Sequence, residues 1–173
     1  MKNIQKVLTD IIQESSKIFW VLFKVILPVI IIIRALELLG AIPYLAKFLE
    51  PLTSFIGIDG SLGLVWMAAI LVNIYAGMAA FASLQPIFDY TVAETTILGL
   101  IILIAHSLPI EVAIARQSRV SAIFNLLFRF INAVIAGKIL NYIFIKFELF
   151  NEQNSSILDI PASVVSNFDW LIL

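Results

Sequence analysis

From Gly60 to Phe88 the chain carries no charged side chain. In water a helix keeps one polar face, whereas about twenty consecutive apolar residues match the ~30 Å hydrocarbon core of a bilayer. Ser61 to Leu84 therefore reads as the cleanest membrane span of the protein. Its second half, NIYAGMAAFASL, is rich in Ala76, Gly77, Ala79, Ala80, Ala82 and Ser83. Side chains this small let that face pack closely on another helix or leave room for a ligand. Asn73 is the polar exception, and in lipid it must find a partner.

The rest of the chain is of the same kind, at 61% hydrophobic residues and a mean hydropathy of +1.04. The expectation is an all-α, polytopic integral membrane protein in the lipid bilayer. It has three to four transmembrane helices, an N-terminal amphipathic helix, an interfacial helix and a re-entrant hairpin. A length of 173 residues suits one membrane domain. A net charge of −1 argues against a nucleic acid polymer as partner, because phosphate neutralisation needs a basic face. The absence of cysteine excludes disulfides, thiolate metal sites and Cys nucleophiles. No cofactor or metal is expected. No Ser-containing or His-Glu metal motif of known hydrolase spacing occurs, so no catalytic residue is assigned and an enzyme is not expected. The N-terminus lacks the pattern of a cleavable signal peptide.

In residues 1–17, Ile4, Val7, Leu8, Ile11 and Ile12 recur at helical spacing, predicting an amphipathic helix on the membrane surface. The membrane domain follows over 18–147. Its first span is Ile18 to Leu39, which Pro28 should kink, with Arg34 and Glu37 paired on one face. Residues 41–60 are too broken by Pro43, Pro51 and Gly57 to cross and predict an interfacial helix. Over 85–94 the chain turns, and Thr91 with Glu94 has the spacing of a capping box. Ser121 to about Ile145 forms the last span, with Arg129–Asn132 and Lys138–Asn141 as polar pairs three residues apart. Residues 148–173 read as a polar linker and an apolar tail for the membrane surface or a partner.

The stretch ETTILGLIILIAHSLPIEVAIARQSR, Glu94 to Arg119, is half a span, a polar break, and half a span back or onward. Thr96 to Ala105 would rise about 15 Å as helix, half the hydrocarbon thickness, which places His106 near mid-membrane. Ionisable groups beside broken helix in a bilayer line substrate or ion pathways. His106 and Glu111 could carry a proton, coordinate a cation or hydrogen-bond a solute, with Ser107, Asn73, Gln85 and Gln117 as further ligands. They could equally satisfy only each other and the freed carbonyls. If 95–115 crosses, Lys2, Lys6, Lys17 and Lys146 stand against Lys47, Arg116 and Arg119, which is no signal. If it re-enters, Lys2, Lys6, Lys17, Arg116 and Arg119 stand against Lys47 and Lys146, a bias that places the N-terminus in the cytoplasm. The expectation is a re-entrant hairpin over 95–115.

Three segments, LPVIIIIRALELLGAIPYLAKFLEPL (27–52), IYAGMAAFASLQP (74–86) and AETTILGLIILIAHSLPIE (93–111), carry a likeness over roughly residues 20–145. In their order and content the chain resembles the gate, or nucleoside-recognition, domain family. That family includes the spore maturation proteins A and B and the membrane part of ferrous iron transport protein B, and it is distantly related to concentrative nucleoside transporters. The resemblance implies a subunit of an oligomeric transporter or channel for a small polar, nucleoside-like solute in the bacterial cytoplasmic (inner) membrane. It equally allows a non-transporting assembly component that acts with a partner membrane protein. So small a chain needs a homo-oligomer or a related membrane protein to enclose a pathway.

Overall fold

The computed structural model describes residues 2–117 and 121–153. Among these are seven helices and no strand: α1 Lys2–Leu38, α2 Ile42–Ile56, α3 Gly60–Leu71, α4 Ile74–Leu84, α5 Val92–Ile104, α6 Leu108–Gln117 and α7 Ala122–Lys146. Three stretches are long and apolar enough to cross a bilayer: Asp10–Leu38, Val92–Arg116 and Ala122–Lys146. The chain is an all-α polytopic membrane protein, as its hydropathy requires.

The charge-free stretch does not cross as one helix, which corrects the reading of Ser61 to Leu84 as a span. α3 ends at Leu71, and Asn73, in extended conformation, opens α4 with its Oδ1 accepting from the Ala76 N–H at 3.0 Å. A Cβ on Gly77 would lie 2.8 Å from the Ala69 Cβ and 3.4 Å from the Val65 carbonyl oxygen. On one straight helix Val65 and Gly77 would stand about 18 Å apart. α4 therefore folds back along α3, and the lone Asn73 is the helix cap that makes the reversal. Close packing of the small residues is realised here: Ala76, Gly77, Ala79 and Ala80 are buried, while Ala82 stays exposed.

The hairpin expected over 95–115 is corrected as well. α5 and α6 form one candidate span, Val92–Arg116, whereas the chain bends by 91° between α2 and α3 and folds back between α3 and α4. Pro109 sits in the first turn of α6, where its missing N–H breaks no helical bond, so it restarts the helix and does not turn the chain back.

Contacts at both ends fix the topology. Where α3 and α5 begin, the Asp59 N–H donates to Glu94 Oε1 at 3.1 Å, and Ser61 Oγ lies 2.7 Å from the Tyr90 hydroxyl. Where they end, the Ser107 N–H donates to the Ala69 carbonyl at 2.9 Å. The two helices thus run side by side in one direction. α7 runs the other way, with Gly137 against Ile101 and Arg129 paired with Glu111. The segment after α7 returns to the start of α5, where the carbonyls of Phe150 and Glu152 accept from Ala93 and Val92, each at 2.9 Å. α2 crosses the start of α3, so closely that a Cβ on Gly60 would collide with the Ala46 carbonyl. One end of the bundle therefore holds α2, Asp59, Tyr90, Glu94 and Lys146, and the other holds Arg116 and the starts of α1 and α7. This gives three spans, the interfacial α2, and a re-entrant α3–α4 hairpin entering from the Glu94 end.

The core lies between these elements, with Ile56, Leu62, Val65, Leu84, Ile97 and Ile101 fully buried. α1 is one continuous helix through Pro28, without a break between residues 17 and 18, and only 6% of its span window is buried within the chain. Arg34 pairs with Glu37 on its exposed surface, as expected. The two polar pairs expected along α7 do not form. Asn132 Nδ2 donates to the Phe128 carbonyl at 2.6 Å, freeing Arg129 for Glu111, and Lys138 Nζ lies 4.7 Å from the centre of the Phe55 ring. The Asn141 amide occupies the place that a Gly57 side chain would take. Side chains three apart on a helix are neighbours, but bonds within the helix or across to the next one prevail here. The apolar tail, residues 154–173, lies outside the described residues.

Candidate functional site

The α5–α6 span opens at Ala105–Ser107. Helical geometry ends at Ile104, Ala105 leaves it with φ −132° and ψ 86°, and Ser107 adopts the left-handed conformation with φ 50°. The opening is about 20 Å along a span of about 37 Å, near mid-depth. Backbone groups released from a helix inside a bilayer must be satisfied by protein or water. α3 supplies the partners: Trp66 Nε1 donates to the Ala105 carbonyl at 3.2 Å, and the Ala69 carbonyl accepts from the Ser107 N–H at 2.9 Å. Trp66 is itself held by Phe130 of α7, the rings stacked with centroids 5.3 Å apart. Beyond the break, the Ser107 carbonyl accepts from the N–H groups of Ile110 and Glu111, both at 3.1 Å, and α6 begins.

His106 sits in this opening, half-buried, and its Nδ1 is 2.8 Å from the Ile102 carbonyl oxygen, one turn back. Because a carbonyl oxygen only accepts, Nδ1 is the donor in this bond. His106 and Glu111 do not meet. Glu111, one turn into α6, forms an ion pair with Arg129 of α7, with 26% and 30% of the two side chains exposed. Ser107 lies in the break itself. Asn73 lies at the tip of the α3–α4 hairpin, one turn past Ala69, with its side-chain oxygen spent on the α4 cap. Gln85 follows α4 and so belongs to the Glu94 end, away from the break. Gln117 ends α6 near Arg116, and its side chain lies outside the described residues. Of the six candidates, then, His106 and Ser107 belong to the mid-depth layer, and Glu111 and Asn73 each lie about one turn beyond it.

A second polar layer lies at the Glu94 end. Thr91 and Glu94 form the expected capping box, with the Thr91 N–H donating to Glu94 Oε2 at 2.9 Å and the Glu94 N–H to Thr91 Oγ1 at 3.1 Å. Asp59 caps α3 by accepting from the Ser61 N–H at 2.8 Å, and also accepts from the Ser61 hydroxyl. Burial pushes the Tyr90 phenol above the usual tyrosine range, an effect that its Ser61 hydrogen bond partly opposes and the nearby Asp59 and Glu94 carboxylates reinforce. Beside this network opens a cleft of about 510 Å³ lined by Lys47, Glu50, Asp59 and Glu94.

Sequence reasoning missed Trp66 and the Glu111–Arg129 pairing. An arginine within an apolar helix needs a partner, and that need was the available signal for the pair. Nothing in the spacing marks Trp66.

Over 98 residues, 57% of its length, the chain is 29% identical to the uncharacterized membrane protein YvoD of Bacillus subtilis (strain 168). The match covers 30% of that protein. No family model and no solved structure matches the chain.

Proposed function

We propose that the chain is a subunit of an oligomeric membrane transporter or channel for a small polar solute, and not an enzyme. The observation that carries this reading is the span opened at mid-depth beside the tip of a re-entrant hairpin. Non-helical backbone at such depth is tolerated where protein buries it or where it lines a cavity. Here α3 secures the freed backbone and leaves the polar side chains of His106 and Ser107 half-buried in the opening. Broken helices of this kind form binding sites near the bilayer midplane in transporters. The resemblance of residues 27–52, 74–86 and 93–111 to the gate, or nucleoside-recognition, domain family makes the solute nucleoside-like. Three spans and one hairpin enclose no pathway alone, so a second copy or a related membrane protein completes it. The cation bias supports an orientation with the Arg116 end and the N-terminus in the cytoplasm, and the family resemblance implies the inner membrane of a bacterial cell.

Uptake by proteoliposomes tests this. Wild type should accumulate a nucleoside above empty vesicles, and His106→Ala and Glu111→Gln should each lose at least about ten-fold in initial rate. Equal uptake by all three proteins, or uptake by none across nucleosides and metal ions, contradicts transport and leaves the assembly role.

A further inference from the structure

α7 carries Asn125, Arg129 and Asn132, spaced four and three residues apart and so aligned on one stripe. All three are half-buried. They run along the margin between the side of α7 packed in the core, Ala133, Gly137 and Phe144, and its bare side, Phe124, Phe128, Ile131 and Ile135. α6 borders that margin, because Glu111 pairs with Arg129 there.

The antiparallel register sets the depth of the stripe. Gly137 meets Ile101 and Arg129 meets Glu111, so Asn132 lies level with Ser107 in the helix break and Asn125 lies near the Arg116 end. The seam is about 10 Å long. A quarter or more of each charged side chain is left uncovered by this chain, at 30% for Arg129 and 26% for Glu111. The Arg129 Nη1 that meets Glu111 is itself buried, and the uncovered remainder of the two side chains is matched better by water or protein than by lipid, since charged groups within a bilayer mostly face a bundle interior or a water-filled cavity. Ion pair and amides together carry no net charge, which suits water and a neutral polar solute.

We propose that the α6–α7 seam is a water-filled vestibule leading from the Arg116 end of the bundle to the break at His106–Ser107. It deepens the transport reading by naming the route to its site, but it rests on the seam's own geometry. The vestibule is closed toward the Glu94 end, where Gly137 and Ile101 pack in direct contact.

Because the chain has no cysteine, single introduced thiols report without background. Asn132→Cys and Asn125→Cys, with Ile131→Cys and Ile135→Cys as controls on the bare side, are reconstituted in vesicles and treated with a charged, membrane-impermeant methanethiosulfonate. Only variants that elute as wild type on size exclusion are compared. Thiolate forms in water and not in lipid, so both Asn variants should react at least about ten-fold faster than both Ile variants, and only from the Arg116 side. Reaction of Asn132→Cys at the Ile131→Cys rate, or from the Glu94 side, overturns the vestibule. Slow reaction with ready disulfide cross-linking between copies also overturns it, in favour of a protomer contact. Labelling needs no solute, so an open seam without uptake would sink transport alone, and uptake with a sealed seam would sink the vestibule alone.

Discussion

At the scale of single residues, the break in the α5–α6 span is stable because particular groups on α3 answer it. The Trp66 indole donates to the Ala105 carbonyl, and leaving a buried acceptor unpaired costs about 1–3 kcal/mol. Trp66→Phe keeps a ring to stack on Phe130 but removes the donor, so thermal unfolding in detergent should register a loss of roughly that size. An unchanged transition would show that the carbonyl has another partner. The Glu111–Arg129 pair lies between two regimes, below about 1 kcal/mol for exposed pairs and about 3–5 kcal/mol for removing one partner of a buried pair. Arg129→Met should therefore destabilise by about 2 kcal/mol, and adding Glu111→Gln should restore part of it. Simple additivity of the two in a double-mutant cycle would deny the pairing. Tyr90 gives a pH signature. Its folded pKa lies above the unfolded value, so the folded state holds more protons, and stability is unaffected below about pH 10 and falls above it. Replacing Tyr90 with Phe should flatten that alkaline decline, as followed by denaturation at pH 9 to 11.

At the scale of elements, the segment that re-enters is decided by small features. Asn73 caps α4, while Pro109 continues a helix from its first turn, and neither outcome follows from hydropathy, which is alike on both sides of each break. The charge count could not separate them either. A hairpin at 60–84 or at 95–115 removes one crossing between Lys47 and Arg116, and both place Lys2, Lys6, Lys17, Arg116 and Arg119 opposite Lys47 and Lys146. Arg119 lies outside the described residues, so its side follows from Arg116 and not from its own position. The capping box at Thr91–Glu94 was readable because its spacing is local, and the structure adds that Glu94 also holds the Asp59 N–H. Glu94→Ala removes the bonds from the Thr91 N–H, the Thr91 hydroxyl and the Asp59 N–H and should destabilise by about 1–2 kcal/mol, against about 0.5 kcal/mol for an isolated weak cap. The hairpin depends on close approach along α3 and α4. Gly77→Val should separate the two and disperse the size-exclusion profile, whereas Gly99→Ala, on an open surface, should not.

At the scale of the molecule, class, helix content and the location of a polar break near His106 were legible from composition and local spacing. The pairing of Glu111 with Arg129, the support from Trp66 and the fold-back at Asn73 were not, because each depends on which helices become neighbours. What results is a three-span protein whose hairpin tip and broken span meet inside the bilayer, with α1 and α7 largely bare toward lipid or other subunits. The arrangement stands or falls on whether 60–84 returns to the side it entered from. Single cysteines at Ser54, Asp89 and Arg116, labelled from either side of sealed vesicles, decide this. The fold places Ser54 and Asp89 on one side and Arg116 on the other; Ser54 and Asp89 labelled from opposite sides would contradict it.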